Sequence, residues 1–555
     1  MTGKQVQMVQ RHAGFLAGTM LVMCSVAMAT PPDEDVFFKI NKSIDVFGRV
    51  YREITTNYVD DVDPEKFMMA GIDGMLETLD PYTVYIGEQE GDEVDLLTNG
   101  KYGGIGVTIG FREGSVRVIS VMDGHTAQRA GIQVGDRFLK IGGVRVDSKK
   151  TDEVRALMRG EPGTEVRILV ERDGEPKPLE FVLIREEIKV KNVTYAGFVK
   201  PGIGYVRLER FSRQAGDEVR QAVKELKLSD KLDGLVLDLR GNPGGLLDAA
   251  VEVVSKFVPK GSLVVSTRGR RPEADKKYYS SEDALLPATP MVVLTDRSSA
   301  SASEIVAGGL QDLDRALVVG TRTFGKGLVQ TILPLNYGAQ LKITTARYYT
   351  PSGRCIQEID YLHKDRDGIF IVTPDSLKKE FKTAHGRVVL EHGGVTPDSV
   401  VPEVDPGPMI RDLNRKSMFF KFMNKYLAQH RQDSLSRVTD EMVDAFHAFL
   451  TEEKFDFQEE TEGKLKDVRT LAQSLHYGND VLDNLDRLQS AVEKEKSRGF
   501  DRYRDHIEDG LTMELMGRLK GEHGRIEASF HDDIQLNSAV GLLTSLKVYQ
   551  KKIGG

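Results

Sequence analysis

Three scarcities narrow the field before any motif is read. The chain holds only two cysteines, Cys24 and Cys355. If the leading residues are removed, Cys355 has no partner, so neither an intramolecular disulfide nor a cysteine-built zinc site is expected. A basic surplus is also missing: the formal charge of −8 argues against a phosphate-backbone partner, so no nucleic acid is expected. The eleven histidines include none between His125 and His363. An α/β core in that interval has no local histidine for a Ser–His–Asp triad, and scattered histidines offer no metal site.

What is present is ordinary for a globular protein, with 40% apolar and 29% charged residues. At 555 residues the chain is too long for one core and implies three or four domains. Its start has the pattern of a secretory signal over 1–29: Lys4 and Arg11, an apolar stretch over 13–26, then Ala27-Met28-Ala29 as a small-x-small cleavage site. The stretch is short for a membrane span, and no second long apolar run follows. Lipidation of Cys24 is disfavoured because Met23 is large for the preceding position. Cleavage after Ala29 removes two positive charges and no negative one, taking the formal charge from −8 to −10. The mature chain is then extracytoplasmic, most simply periplasmic.

Over 30–98 the pattern is helical. Phe37, Ile40, Ile44, Phe47, Val50, Tyr51 and Ile54 recur at helical spacing, and Pro64 opens a second helix running to Leu79. Such a pair buries little alone and must dock on something, a second copy of the chain included. From Lys101 the apolar spacing shortens to two, with glycine punctuation, which predicts short strands. Within 188–405, strand-like runs alternate with helical ones, predicting a sheet covered by helices. Over 406–555 glycine and proline thin out and charge rises, predicting a helical extension. Its stripes Leu465–Leu475 and Val481–Val492 read as ordinary helix packing. The expected fold is therefore a multidomain α/β protein with helical units at both ends.

Three motifs in the α/β region carry chemistry. DLRGNPGG (238–245) can expose backbone N–H groups before a helix, which suits an oxyanion hole or a phosphate, although Asn-Pro-Gly-Gly is also a common turn. In RSSASASE, Ser301 stands at a helix start, where a developing oxyanion is favoured. A lone Ser-x-x-Glu is more often a capping box, with Ser301 as cap and Glu304 at the third position. In TFGKGLVQ, Lys326 lies between two glycines and beside Phe324; apolar burial would disfavour its charge and suit it to act as a base.

The order GIGV, AGIQVGDRFLKI and TDEVRALMRG resembles a PDZ domain over 99–187. That resemblance implies a carboxylate nest around Gly104, Ile105 and Gly106. A pocket formed by Val107, Ile109, Val154, Leu157 and Met158 would take the last side chain of a tail. The three motifs behind it, with YYTPSGRCIQ and GGVTPD, resemble the C-terminal processing peptidases, also called tail-specific proteases. The resemblance spans about 34–405. It implies a Ser301–Lys326 dyad, with Gln330 orienting the lysine and an oxyanion hole from Ala302 with Gly245 or Gly244. It implies no cofactor, and as partners protein or peptide substrates with free C-termini, with homodimerisation through the terminal helices as a further use of those faces. Two departures stand out: Cys355 replaces a small polar residue, and the final 150 residues do not align with the common core. The rival from another class is a catalytically silent PDZ scaffold that binds tails. A histidine base brought in from elsewhere, His125 or His392, is the other hydrolase alternative.

The signal reading predicts that N-terminal sequencing of the mature protein begins at Thr30 with no lipid on Cys24. An intact Met1 in the membrane fraction would overturn it.

Overall fold

The computed structural model describes residues 34–554, apart from 89–90, 113, 147–149, 365–369, 373 and 431–434. The signal segment, Cys24 and Thr30 lie outside the described residues. The chain divides into two units between Pro81 and Tyr82.

In the first unit, helix Glu34–Asn57 is followed by helix Pro64–Leu76. Asp63 accepts the N–H groups of Glu65 and Lys66 at 3.0 and 3.2 Å, satisfying two donors that a helix start leaves unpaired. Tyr51 stacks on Phe67 at 5.8 Å and donates to the Pro64 carbonyl at 2.7 Å. Much of the apolar stripe stays uncovered: Phe37, Phe38, Ile44 and Phe47 are all exposed.

The second unit begins with a β-rich domain. Its sheet runs Val107–Arg112, Ser115–Val121, Arg137–Ile141, Glu165–Glu171, Leu179–Ile184, with Val107–Arg112 at the edge. Strands Lys101–Gly104 and Glu186–Lys189 pair separately. Helix Thr151–Met158 closes the core through Val154, which is fully buried with Val118, Ile141 and Ile168.

The α/β region is built on a six-stranded sheet. Val193–Lys200 and Ile203–Leu208 pair antiparallel; Gly234–Asp238, Met291–Thr295, Leu317–Gly320 and Ser399–Val400 follow in parallel. Leu235 and Leu237 face one core while Val236 faces the other, and Met291–Leu294 alternates in the same way. Burial on both faces explains why these strands read as continuous apolar runs. One face is covered by helices Ala215–Ser229, Leu247–Ser255 and Ala302–Asp312. The other is covered by Ile534–Thr544 and Leu546–Ile553 near the end of the chain. Tyr549 joins them to a strand start: its hydroxyl donates to the Met291 carbonyl at 2.9 Å and accepts the Met291 N–H at 3.0 Å. Arg240, from the first motif, bonds Asp238 and Asp533 at 2.6 Å each. The composition shift near Pro406 gave no sign that the last helices complete this core. In the chain between the core strands and these last helices, helices Pro408–Arg415, Met418–Gln429, Asp440–Glu452 and Arg504–Ala528 gather around Phe419, Phe422, Phe446 and Phe449. Helices Glu460–Ser474 and Asn479–Ser497 stay outside this cluster and, against expectation, Val468, Leu471, Leu475 and Leu488 are left exposed.

A second, antiparallel sheet adds Val84–Ile86, Leu263–Gly269, Lys276–Tyr279, Leu328–Pro334 and Gln340–Tyr349. Below it, Arg354 and Asp312 form a fully buried ion pair at 2.8 Å. Arg354 also reaches Gln311 Oε1 at 2.7 Å, and Asp312 accepts the Ser352 N–H at 3.0 Å. Cys355 beside it is a buried free thiol, and burial pushes its pKa up.

Breaking a buried pair strands a charge, so Arg354→Met should destabilise the core by about 3–5 kcal/mol. The double variant Arg354→Met/Asp312→Leu should recover more than half of that loss, read from urea midpoints.

Candidate active site

The serine run follows the buried strand Met291–Thr295, and each hydroxyl has a separate use. Ser299 Oγ donates to the Leu239 carbonyl at 2.8 Å and Ser303 Oγ to the Asn242 carbonyl at 2.9 Å, both fully buried. Ser301 between them is half-buried, and its hydroxyl bonds no side chain among the described residues, facing instead the Glu304 N–H as the helix cap. Its backbone is unusual: φ is 56° and ψ −113°. A non-glycine residue held there stores about 1–3 kcal/mol, and the surroundings must over-determine it.

Glu304 supplies part of that constraint. Its Oε2 accepts both the Ser301 N–H at 2.8 Å and the Lys326 N–H at 2.9 Å. Oε1 accepts the Gly325 N–H at 2.7 Å and the Thr323 hydroxyl at 2.6 Å. The Glu304 and Ser301 contacts form the expected capping box in both directions, and the rest of the carboxylate gathers the lysine loop. Burial pushes the Glu304 carboxyl up to about 7, while its four donors pull the other way. Four donors and no acceptor match the ionised form, which accepts only.

Tyr348 performs the complementary task. Its buried hydroxyl lies 3.0 Å from the Ser301 carbonyl and 2.6 Å from the Lys326 carbonyl. The main chains of Ser301 and Lys326 are thus held together at their N–H groups by one side chain and at their carbonyls by another.

Lys326 needs its flanking glycines. A Cβ on Gly325, where φ is +90°, would lie 2.6 Å from Glu358 Cβ; one on Gly327 would lie 2.8 Å from the Gln357 amide nitrogen. The expected apolar neighbour is different. Phe324 is 42% exposed, and Tyr82 instead places its ring 4.0 Å from Lys326 Nζ. Tyr82 enters the site because the following strand Val84–Ile86 pairs with Gln340–Tyr349. Its hydroxyl lies 3.2 Å from that of Tyr361. Gln330 donates through Nε2 to Thr344 Oγ1 at 3.2 Å rather than to Lys326. The strand carrying Thr344 bulges opposite Val329 and Gln330, which sets this pairing.

The glycine turn abuts the serine. A Cβ on Gly244 would lie 2.6 Å from the Ala300 carbonyl oxygen and 2.9 Å from the Ala302 nitrogen. The Gly244 N–H is committed to Asn242 Oδ1 at 2.8 Å, so its contribution is space rather than a proton donor. The N–H groups of Ala302 and Gly245 have no protein acceptor among the described residues. Asn242, fully buried, ties turn to elbow: its carbonyl accepts the Ala300 N–H at 3.1 Å. Neither rival histidine bonds Ser301. His125 pairs with Glu186 at 3.5 Å, and His392 Nδ1 lies 2.9 Å from the Gln357 carbonyl. Asp509, His531 and Asp532 lie close enough to share an ion but sit near the chain's end and belong to no part of this arrangement.

A second concave site lies on the β-rich domain, a cavity of about 260 Å³. Gly104, Ile105, Gly106, Val107, Ile109 and Met158 line it as expected. Val154 and Leu157 do not: Val154 has no exposed surface, and Leu157 packs on the same core. On this short helix the groove-facing positions are Arg155, Met158 and Arg159, one turn apart. The Ile105 and Gly106 carbonyls accept the N–H groups of Ala127 and Met122 at 3.1 and 2.9 Å, while their own N–H groups bond no protein acceptor among the described residues. Sequence reasoning missed Asn242, Tyr348 and Tyr82, and saw Glu304 only as a cap.

Comparison with known proteins gives matches to four described families: "Peptidase family S41" over 202–366, "PDZ domain" over 117–172, "Activating protease CtpB N-terminal domain" over 26–90, and "Probable PDZ-protease, C-terminal helical domain" over 409–543. The chain is 39% identical over 355 residues to the carboxy-terminal-processing protease of Bartonella bacilliformis, covering 63% of this chain and 81% of that one. It is 32% identical over 424 residues to the carboxy-terminal processing protease CtpB of Bacillus subtilis, covering 74% and 88%. With a probable CtpA-like serine protease of Staphylococcus aureus (strain COL) it shares 37% identity over 311 residues, 55% of this chain and 61% of that one.

The double clamp makes a measurable demand. Glu304→Gln turns one acceptor oxygen into a donor facing N–H groups, and Tyr348→Phe takes the hydroxyl away from the Lys326 carbonyl and from the Ser301 carbonyl, which keeps the Glu304 and Ile305 N–H groups. Each should lower the activity of the Ser301 site about tenfold to a hundredfold at constant KM, from about 1–3 kcal/mol per unsatisfied buried group. A wild-type kcat in either well-folded variant would show the clamp to be irrelevant.

Proposed function

The chain belongs to the carboxy-terminal processing proteases of peptidase family S41, PDZ-containing serine-type proteases, and we propose that it cleaves with a Ser301–Lys326 dyad. The observation that carries this reading is the shared restraint of the two residues by Glu304 and Tyr348. A neutral Lys326 amine takes the Ser301 Oγ proton as Oγ bonds to the substrate carbonyl carbon. The resulting oxyanion is held by the Ala302 and Gly245 N–H groups, which have no protein acceptor among the described residues. The Lys326 ammonium then gives its proton to the departing amine, and water releases the acyl group by the same route. Tyr82 supports the ammonium stage, since a ring face favours a cation by about 0.5–2 kcal/mol. Gln330 Oε1 accepts from no protein donor among the described residues and is the atom proposed to orient Lys326.

Substrates are protein or peptide chains, and the free C-terminus is proposed to enter the nest at Gly104–Gly106. Among the described residues no helix is long and apolar enough to cross a membrane. Export with residence in the periplasm rests on the signal pattern over 1–29. The exposed stripe Phe37–Phe47 supports a homodimer through the terminal helices.

Ser301→Ala should abolish cleavage of a tailed substrate without lowering stability. Lys326→Arg should be as inactive as Lys326→Ala, because a guanidinium keeps its proton. Activity should rise with pH as the amine loses its proton, and stay high on the alkaline side. His125→Asn and His392→Asn should leave kcat in place. Single-turnover cleavage by a well-folded Lys326→Arg enzyme would sink the dyad.

A further inference from the structure

The cavity on the β-rich domain has both apolar and cationic residues in its lining. Ile109 and Met158 supply apolar surface, Arg155, Arg159 and Arg210 supply cationic surface, and among the described residues no carboxylate lines it. The three arginines come from two places. Arg155 and Arg159 stand on helix Thr151–Met158 and the residue after it; Arg210 comes from the protease core, just beyond strand Ile203–Leu208.

Their charges are poorly neutralised by the protein. Arg155 pairs with Asp152 at 2.6 Å, but that carboxylate is 85% exposed, where such a pair is worth little. Arg159 and Arg210 form no ion pair among the described residues, and the Nε of each is buried without a hydrogen-bond partner. The neighbouring acid is committed elsewhere: Glu209 bonds Arg207 at 2.9 Å. Arg159 lies over the Tyr102 ring at 5.3 Å, with the ring in turn packed against Gly104. Burial raises the Tyr102 phenol's pKa, while Arg159, Arg210 and Arg155 each pull it down, as expected of guanidiniums gathered on one ring. A terminal carboxylate needs only the N–H groups at Gly104–Gly106, so these arginines are surplus to it.

We propose that the groove selects tails carrying acidic side chains among their last four residues, read by Arg159 and Arg210 beside an apolar terminal residue. This rests on the reading of the groove as a tail-binding site. The edge strand Val107–Arg112 offers a peptide its backbone partners, and Val107–Ile109 spans the length over which side chains reach the cavity. Bidentate guanidinium–carboxylate pairing is strong where water is partly excluded, and neither arginine must break a protein ion pair to form it.

The test uses full-length Ser301→Ala protein and labelled ten-residue peptides with the same apolar last residue. One carries two glutamates among its last four residues, a second glutamines, a third lysines, and each also has an amidated twin. The acidic peptide should bind about tenfold tighter than the glutamine one at low salt, the lysine one weakest, with the gap narrowing as salt rises. Arg159→Gln/Arg210→Gln should bring the acidic and glutamine peptides together while amidation still weakens both. Equal affinity of the three free-acid peptides overturns the acidic preference and leaves tail reading in place if amidation still weakens them. Affinities indifferent to amidation overturn tail reading itself, and the preference with it. An acidic preference that survives in a double variant with a wild-type unfolding midpoint also overturns the assignment to these arginines. If that variant fails to fold, the ranking of the three peptides on the Ser301→Ala protein decides alone.

Discussion

The carboxylate of Glu304 is the constraint on which the arrangement of Ser301 and Lys326 depends. It lies fully buried with four donors and no counter-ion among its hydrogen-bond partners, so it is stable as an anion only while all four donors stay in place. Two of those donors are the amides of Ser301 and Lys326. Because the cost of losing any one bond in the interior is large, the elbow and the lysine loop are locked into one register rather than tuned separately. The strained φ of Ser301 is tolerable for the same reason: the relaxed alternative would strand a buried charge.

Around that anion, glycine supplies close approach and tyrosine supplies direction. Gly244, Gly325 and Gly327 each occupy places where a Cβ would strike main chain or a neighbouring side chain. Tyr348 reaches two carbonyls with one hydroxyl, and Tyr82 covers the lysine nitrogen. Tyr82 and Tyr348 are brought to the site by the second, antiparallel sheet rather than by the central one. The placement of Ser301 and Lys326 therefore depends on the packing of two sheets against each other.

The sequence made visible what short-range chemistry encodes. The apolar runs of the central sheet, the glycine-punctuated strands before it and the polar loops carrying Ser301 and Lys326 could all be read, because each is a local pattern. Glu304 could be read only as far as its own helix; its bonds to Gly325 and Lys326 span more than twenty residues and leave no periodic trace. Tyr82 was invisible for a similar reason, since its place is set by strand pairing across the chain. Val154 and Leu157 were misplaced because apolar character alone cannot say whether a helix position faces a groove or the core behind it. The sharp change of composition near Pro406 marked a boundary in sequence but not the limit of the core, which recruits Leu536, Ala539, Val540 and Leu543 from beyond it.

That late cover has a kinetic consequence. Tyr549 and Met291, joined by two hydrogen bonds, are 258 residues apart, so this part of the core closes by a contact of very long range. Val236, Val292, Leu294 and Leu317 keep an apolar sheet face open until residues 534–553 arrive to cover it. Contacts of such separation form slowly, because chain entropy must be lost before any burial rewards it. During that interval the nascent sheet presents a water-exposed apolar surface, the kind of intermediate that self-associates. Folding assistance is therefore most needed while the far face waits for its lid, at a stage when the serine and lysine loops already have the local sequence they require.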